Sequence, residues 1–265
     1  MAYETLLVER RTHTTWVTLN RPGSLNAMNR ALVNDLRAFF SGLTDDRDTR
    51  VVVLRGAGRA FCAGLDLKDG APDDAEPSVT SALRGQRRIS ELVIMMRRAP
   101  QPIIACVHGA ACGGGFALAL GADVRIAGES ARMNAAFIRI GLSACDVGVS
   151  YFLPRMVGAS VAAELLLTGN FIEAARAERL GLVSRVVPDA DLGAAAEALA
   201  NDMLRNSPLG LRLTKECLNA SIDAGGLEQV IAMEDRNQVL CVQTQDFREG
   251  IGAFLQKRAP AYRDA

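Results

Sequence analysis

Histidine is scarce in this chain, since only His13 and His108 occur among its 265 residues. Carboxylates do not cluster at ligand spacing either, so we expect no bound metal. Aromatic residues make up only 5% of the chain, and 30 basic residues balance 30 acidic ones. Because no dense run of Lys or Arg is present to attract phosphates, nucleic acid is not expected as a partner.

Signals for export and membrane insertion are also missing. The six cysteines form no C-x-x-C pair, which favours reduced thiols in a cytoplasmic protein. The first residues show neither the basic nor the apolar region of a secretion signal. Residues 99–122 carry no formal charge, but Pro100, Pro102 and three consecutive glycines would break a helix there. We therefore expect no membrane span.

The same uncharged stretch is the centre of the chain. An apolar run with strand character leads through Gly113, Gly114 and Gly115 into a segment rich in Ala and Leu, which predicts strand, loop and helix. Glycine lets backbone N–H groups face a ligand at a helix N-terminus. Neither Gly-Lys-Ser/Thr nor G-x-G-x-x-G is present, so we predict a nest for a small oxyanion rather than a phosphate loop. The alternative is a buried core element.

Strand and helix patterns alternate along the rest of the chain. Residues 6–11 and 14–19 predict a hairpin, and helical spacing follows over residues 29–43 and 79–98. Residues 68–77 are predicted to form an exposed loop. A strand leads through a loop to a helix three times, which indicates a repeated β-β-α unit. Beyond Leu192 the pattern is helical, so we divide the chain into a core, 1–195, and a C-terminal helical region, 196–265.

Four motifs together resemble the crotonase superfamily, the enoyl-CoA hydratase/isomerase proteins, along nearly the whole chain. They occur in the family's order and spacing. The motifs are Leu19-Asn20-Arg21-Pro22 with Asn26-Ala27-Met28, residues 60–67, the glycine triplet with Asp123, and Leu167-Thr168-Gly169 through Gly181-Leu182-Val183.

The resemblance implies an α/β fold, a crotonase-like spiral of β-β-α units whose C-terminal helices form homotrimers, commonly paired into hexamers. It also implies an acyl-CoA thioester substrate and no cofactor beyond the coenzyme A of that substrate. The backbone N–H groups of Leu65 and Gly114 would hold the thioester oxygen. Five residues would line the coenzyme A site: Leu25, Ala27, Ala63, Asp66 and Leu67. Phe254 and Lys257 match tail positions that can reach a neighbouring subunit's coenzyme A; the alternative is a packed Phe and a solvated Lys.

The acid/base residues depart from the family's pattern. A hydratase needs two carboxylates, one to activate water and one to protonate the α-carbon. By the resemblance, the family has one glutamate two residues after the glycine triplet and the other in the next loop. Ala117 and Phe137 stand at those two positions. Glu164 matches a helical position outside the family's active site, so we expect it to be structural.

Asp146 is the remaining candidate. Dienoyl-CoA isomerases have an aspartate in this loop, and 4-chlorobenzoyl-CoA dehalogenases have their nucleophile four residues before a Ser-Tyr pair, as here. The dehalogenases also have an aromatic residue at the Phe137 position, in the substrate site, but their catalytic histidine matches Ser90. We expect Asp146 to be desolvated by apolar neighbours and to act as a single acid/base, which suits double-bond isomerisation. Its alternative role is a helix N-cap or a loop-fixing acceptor.

Two other functions stay open on the sequence. One is a catalytically silent acyl-CoA-binding protein that has kept the pocket and lost the acids. The other is a different reaction on the same oxyanion site, thioester hydrolysis or decarboxylation, because a fold does not fix a reaction.

Overall fold

The computed structural model describes residues 3–68 and 78–265. Apart from Lys68, the loop predicted over residues 68–77 lies outside these ranges. The strands are β1 Leu6–Arg11, β2 Thr14–Leu19, β3 Val51–Gly56, β4 Ile103–Val107, β5 Ala110–Cys112, β6 Val124–Gly128, β7 Arg132–Asn134, β8 Ile172–Glu173 and β9 Arg185–Val187. The α-helices are α1 Arg30–Gly42, α2 Val79–Arg98, α3 Gly114–Gly121, α4 Val149–Val157, α5 Ala159–Thr168, α6 Ala174–Arg179, α7 Leu192–Leu204, α8 Pro208–Ser221, α9 Leu227–Val242 and α10 Gln245–Leu255.

The strands in the described part of the chain form two sheets. The larger has the order β1-β2-β3-β4-β6-β9, and only its β1–β2 pair is antiparallel, which confirms the predicted hairpin. The smaller has the order β5-β7-β8. Because β4 continues into β5 of the other sheet and then into α3, the central stretch is one turn of the predicted β-β-α repeat. Parallel pairing requires long crossovers, which α1 and α2 provide.

Both faces of the larger sheet are covered, which explains the four consecutive apolar residues that begin β3. Val52 and Leu54 face the main core, and Val51 and Val53 face a second cluster with Trp16. Leu192, Ala196 and Ala200 of α7 complete that second cluster. The boundary that we predicted at residue 195 therefore falls inside α7, a helix that packs on the sheet. The two-part division itself stays a prediction.

Local sequence accounts for the helices that frame the site. Ser78 caps α2, since its Oγ accepts from Ser81 N at 3.1 Å, as expected for a serine at this position. Asn29 caps α1 in the same way, through Leu32 N at 2.9 Å. Every residue of α3 is buried. No described helix is both long and apolar enough to cross a lipid bilayer.

Candidate active site

The glycine triplet forms the junction of β5 and α3. Gly113 has φ +49°, a left-handed value that favours glycine, and its N–H donates to Asn134 O at 2.9 Å. Gly114 begins α3, where backbone N–H groups have no partner within the helix. Among the described residues, none accepts from Gly114 N. A Cβ on Gly115 would collide with Cys62 O, so this loop lies directly against residues 61–64.

The second loop presents Leu65. Gly64 has φ +98°, and its carbonyl accepts from Met28 N at 2.7 Å. On the other side of Leu65, Asp66 N donates to Met28 O at 3.0 Å. Leu65 itself is 47% exposed, and its N–H donates to no acceptor in the described part of the chain. The loop thus leaves the Leu65 N–H available to a ligand.

The two loops are in contact. A β-bridge joins Cys62 to Ala111, and Cys112 N donates to Cys62 O at 2.9 Å. A Cβ built on Gly64 would lie 2.8 Å from Cys112 O and 3.6 Å from Gly114 N. The residue before Leu65 therefore lies against Gly114, so the structure brings the two predicted donor loops together.

The predicted coenzyme A residues share this region. Ala63 N donates to Leu25 O at 3.0 Å, and Arg21 donates to Ala27 O and pairs with Asp66 at 2.9 Å. Burial raises the pKa of Asp66, but the hydrogen bonds from Arg21 and from the Lys68 N–H outweigh burial and lower it. The Asp66 carboxylate is thus occupied by Arg21. Leu67, the fifth predicted residue, is 67% exposed.

Apolar side chains stand at the two positions where the resemblance predicts catalytic glutamates. Phe137 is buried, and its Cε1 would lie 3.4 Å from a Cβ on Gly113, so the ring lies beside the glycine loop. Ala117 is fully buried in α3, and its N–H donates to Gly113 O at 2.9 Å. Neither position supplies a carboxylate.

Asp146 lies at the loop before α4 and is only partly buried, so the desolvation that we expected is not found. Its Oδ1 accepts from Gln86 Nε2 at 2.5 Å and from Val147 N at 2.7 Å. The N-cap of α4 is Gly148, so the N-cap alternative is wrong. The bond to Val147 N instead fits a loop-fixing acceptor. Among the described residues, Asp146 Oδ2 has no partner.

The structure assigns no part in the two loops' chemistry to the remaining candidate groups. Phe254 is 83% exposed at the end of α10, and Lys257 follows it. No hydrogen bond among the described residues links either of them to the two loops, so their role stays a prediction. Burial raises the pKa of Cys62 to about 12, which disfavours a thiolate. Glu164 forms a bidentate pair with Arg176 at 2.8 and 2.7 Å, in agreement with the structural role that we expected.

Sequence reasoning missed two side chains that hold this region. Arg21 lies in a motif that we used, but its partner Asp66 is 45 residues away. Gln86 reaches Asp146 across 60 residues, from an exposed helical position with no local signal.

Comparisons with known proteins agree with one another. The family model described as "Enoyl-CoA hydratase/isomerase" matches residues 9–265. "Probable enoyl-CoA hydratase EchA12" of Mycobacterium tuberculosis is 41% identical over 252 residues, which are 94% of this chain and 88% of that protein. The 1,2-epoxyphenylacetyl-CoA isomerase of Escherichia coli is 37% identical over 246 residues, 93% of each chain.

Solved structures extend the similarity to the fold. The enoyl-CoA hydratase of Bacillus anthracis superposes with a TM-score of 0.93 at 34% identity, over 99% of this chain and 100% of the other. The structure of a probable enoyl-CoA hydratase/isomerase from Mycobacterium abscessus superposes with a TM-score of 0.91 at 38% identity, over 98% of this chain and 99% of the other. These structures confirm the predicted α/β spiral of β-β-α units.

Proposed function

Because this chain belongs to the enoyl-CoA hydratase/isomerase family, we propose that it isomerises an unsaturated acyl-CoA through a thioester enolate. The N–H groups of Leu65 and Gly114 hold the thioester oxygen, and Asp146 moves the proton. Relatives named as enoyl-CoA hydratases and as a 1,2-epoxyphenylacetyl-CoA isomerase support a coenzyme A thioester as substrate.

One observation carries the proposal: two free backbone donors lie on loops that touch. As the α-proton leaves, negative charge collects on the thioester oxygen. Fixed donors at that point stabilise the transition state by about 3 kcal/mol each. Gly114 is also the first residue of α3, so the positive end of the helix dipole adds to the stabilisation.

Isomerisation needs only one carboxylate. Asp146 would take a proton from one carbon of the acyl chain and return it to another, so that the double bond moves and no atom is gained or lost. Its Oδ2 is free to accept that proton, while Gln86 and the Val147 N–H hold Oδ1. Hydration would require a second group to activate water, and Ala117 and Phe137 provide none.

The test is hydrogen exchange in heavy water. Purified protein is incubated with saturated and unsaturated acyl-CoAs, and deuterium at the α- and γ-carbons is followed by mass spectrometry together with product masses. We expect exchange in the wild type and a loss of about a hundredfold in Asp146→Asn, the typical weight of a general acid/base. Glu164→Gln, which removes a surface carboxylate paired with Arg176, is the matched control and should exchange normally.

The second candidate is a silent acyl-CoA-binding protein. The hydrogen bond from Val147 N to Asp146 favours this candidate, because an acceptor that fixes the loop accounts for Asp146 without catalysis. Binding of acyl-CoA without exchange or product would establish it. A mass gain of one water would instead establish hydration, and release of free coenzyme A would establish thioester hydrolysis.

A homotrimer, or a hexamer built from two trimers, is also part of the proposal. The C-terminal helices expose large apolar side chains, among them Leu227 at 75% and Phe254 at 83%, and exposed apolar surface of this kind favours association. In a trimer, Phe254 and Lys257 would reach a neighbour's coenzyme A. Light scattering on the purified protein gives the number of subunits, and a monomer would contradict this assembly.

A further inference from the structure

Met28 touches both donor loops. Its backbone N–H donates to Gly64 O at 2.7 Å, and its carbonyl accepts from Asp66 N at 3.0 Å. Its side chain is 1% exposed and ends against Gly114, where an added Cβ would overlap Met28 Cε and lie 3.7 Å from Sδ. One residue therefore contacts the backbone on both sides of Leu65 and the surface of Gly114.

The backbone contacts fix a direction. A trans peptide is planar and places its C=O and N–H on opposite sides of the chain. Gly64 O and Leu65 N belong to the same peptide unit, and Gly64 O is directed at Met28. The Leu65 N–H is thus directed away from Met28. The second bond, from Asp66 N, holds the next peptide unit, so Leu65 cannot rotate without breaking one of the two.

The Met28 side chain lies between the start of α3 and the loop that carries Leu65. Gly114 has no Cβ, and Met28 Cε occupies the place where a Cβ would be. Because packed interiors leave few voids, the Met28 side chain, together with the bond from Cys112 N to Cys62 O, sets how closely the start of α3 approaches the loop that carries Leu65. Arg21 adds to this support, since it joins Ala27 O to the Asp66 carboxylate on either side of Met28.

We propose that Met28 is a positioning residue that sets both the direction of the Leu65 N–H and its distance from the Gly114 N–H. This inference rests on the proposed function, in which those two groups hold one oxygen. A donor displaced by a fraction of an ångström still binds the ground-state carbonyl but matches the enolate oxygen less well. Met28 therefore affects the rate more than substrate affinity.

The measurement is the carbonyl stretch of an acyl-CoA labelled with ¹³C at the thioester carbon, recorded by difference infrared spectroscopy on the bound complex, together with kcat and KM for exchange. In Met28→Ala we expect a smaller red shift of the stretch and kcat lower by about tenfold, with KM nearly unchanged. Met28→Leu, which nearly preserves the volume, should restore most of both.

Met96→Ala is the matched control. Met96 is also fully buried, and its Sδ lies 3.4 Å from the Cβ position of Gly121, at the opposite end of α3. It should lose stability as Met28→Ala does and keep the wild-type stretch and kcat. A red shift in Met28→Ala as large as that of the wild type, or an equal loss of kcat in both alanine variants, overturns the inference.

A double substitution tests the contact itself. Gly114→Ala places a methyl group on Met28 Cε and should lower kcat, and Gly114→Ala combined with Met28→Ala should regain part of it because the methyl group then has room. No recovery contradicts a direct contact. If Met28→Ala does not fold, Met28→Val shortens the same side chain and takes its place. A wild type without any red shift refutes the proposed oxyanion site, whereas a wild-type shift that survives in Met28→Ala refutes only the role of Met28.

Discussion

The buried guanidinium of Arg125 supports α3 from the end opposite Gly114, and its removal should weaken the fold. Nη1 donates to Ala122 O at 2.7 Å, and Nε donates to Leu182 O at 2.8 Å. Longer contacts at 3.4 Å reach Ala119 O and Leu120 O. The last carbonyls of a helix have no partner within it, so this side chain satisfies groups that would otherwise be buried and unpaired.

Two opposing free energies decide the size of the effect. Burial lowers the pKa of Arg125 to about 10, and at about 1.4 kcal/mol per pKa unit this shift corresponds to a cost on the order of 3 kcal/mol for keeping the side chain charged. Hydrogen bonds from a charged donor contribute about 1.5 to 3 kcal/mol each, so the two short bonds outweigh that cost. We expect Arg125→Met to lower the free energy of unfolding by about 2 kcal/mol, and Arg125→Lys by about half of that because one ammonium group reaches fewer carbonyls.

Urea unfolding at a fixed protein concentration measures this difference. The chain has a single tryptophan, Trp16, which is 2% exposed and reports loss of the larger sheet by its fluorescence. Arg176→Met, which removes an exposed partner of Glu164, is the control and should change stability by less than about 0.5 kcal/mol. An Arg125→Met protein as stable as the wild type would show that burial of the charge cancels its hydrogen bonds, and the reasoning would fail.

Two further changes test the loop contact and the C-terminal region. Gly115→Ala adds a methyl group that meets Cys62 O and lies 2.7 Å from Cys62 Cβ, so we expect a loss of at least about 3 kcal/mol in urea unfolding; near-wild-type stability would mean that the two loops can separate. Hydrogen bonds from Arg258 and from the Ala261 N–H lower the pKa of Glu249 to about 2. The ordinary pKa of a glutamate is 4.5. Glu249 therefore contributes its full stabilisation above this pH, and the stabilisation is lost as the pH falls toward 2. The stability difference between wild type and Glu249→Gln should shrink from pH 6 to pH 3, and a constant difference would contradict this pair.

Local sequence predicted the long elements because their signals are local. The helix expected over residues 79–98 is α2, Val79–Arg98, with a serine cap at its start and arginines in its last turn. The strands of the smaller sheet gave no such signal, since β5, β7 and β8 have only two or three residues and are too short to show a period of two. Their pairing depends on residues far apart in sequence, which is why the smaller sheet was not foreseen.

In the candidate site, too, the features with a local sequence signal could be predicted and those that depend on distant residues could not. Gly64 and Gly114 could be found from sequence because glycine is required where the backbone is left-handed or closely approached. The exposure of Asp146 could not, because it depends on how α2 and the loop before α4 pack and on Gln86, 60 residues away. Its apolar neighbours in the sequence, Val147 and Val149, are buried, whereas Asp146 is only partly buried.

In the proposed mechanism, Ala117 and Phe137 let the scaffold keep one step of the family's chemistry, enolate formation, and lose another, water activation. Enolate formation depends on the backbone donors, which side-chain substitutions at those positions do not remove. Water activation depends on a carboxylate, and the Phe137 ring instead lies beside Gly113. In the proposed mechanism, this apolar ring leaves no group at that place to activate water. In the proposed mechanism the enolate then has one fate, protonation by the same carboxylate that formed it, which is isomerisation.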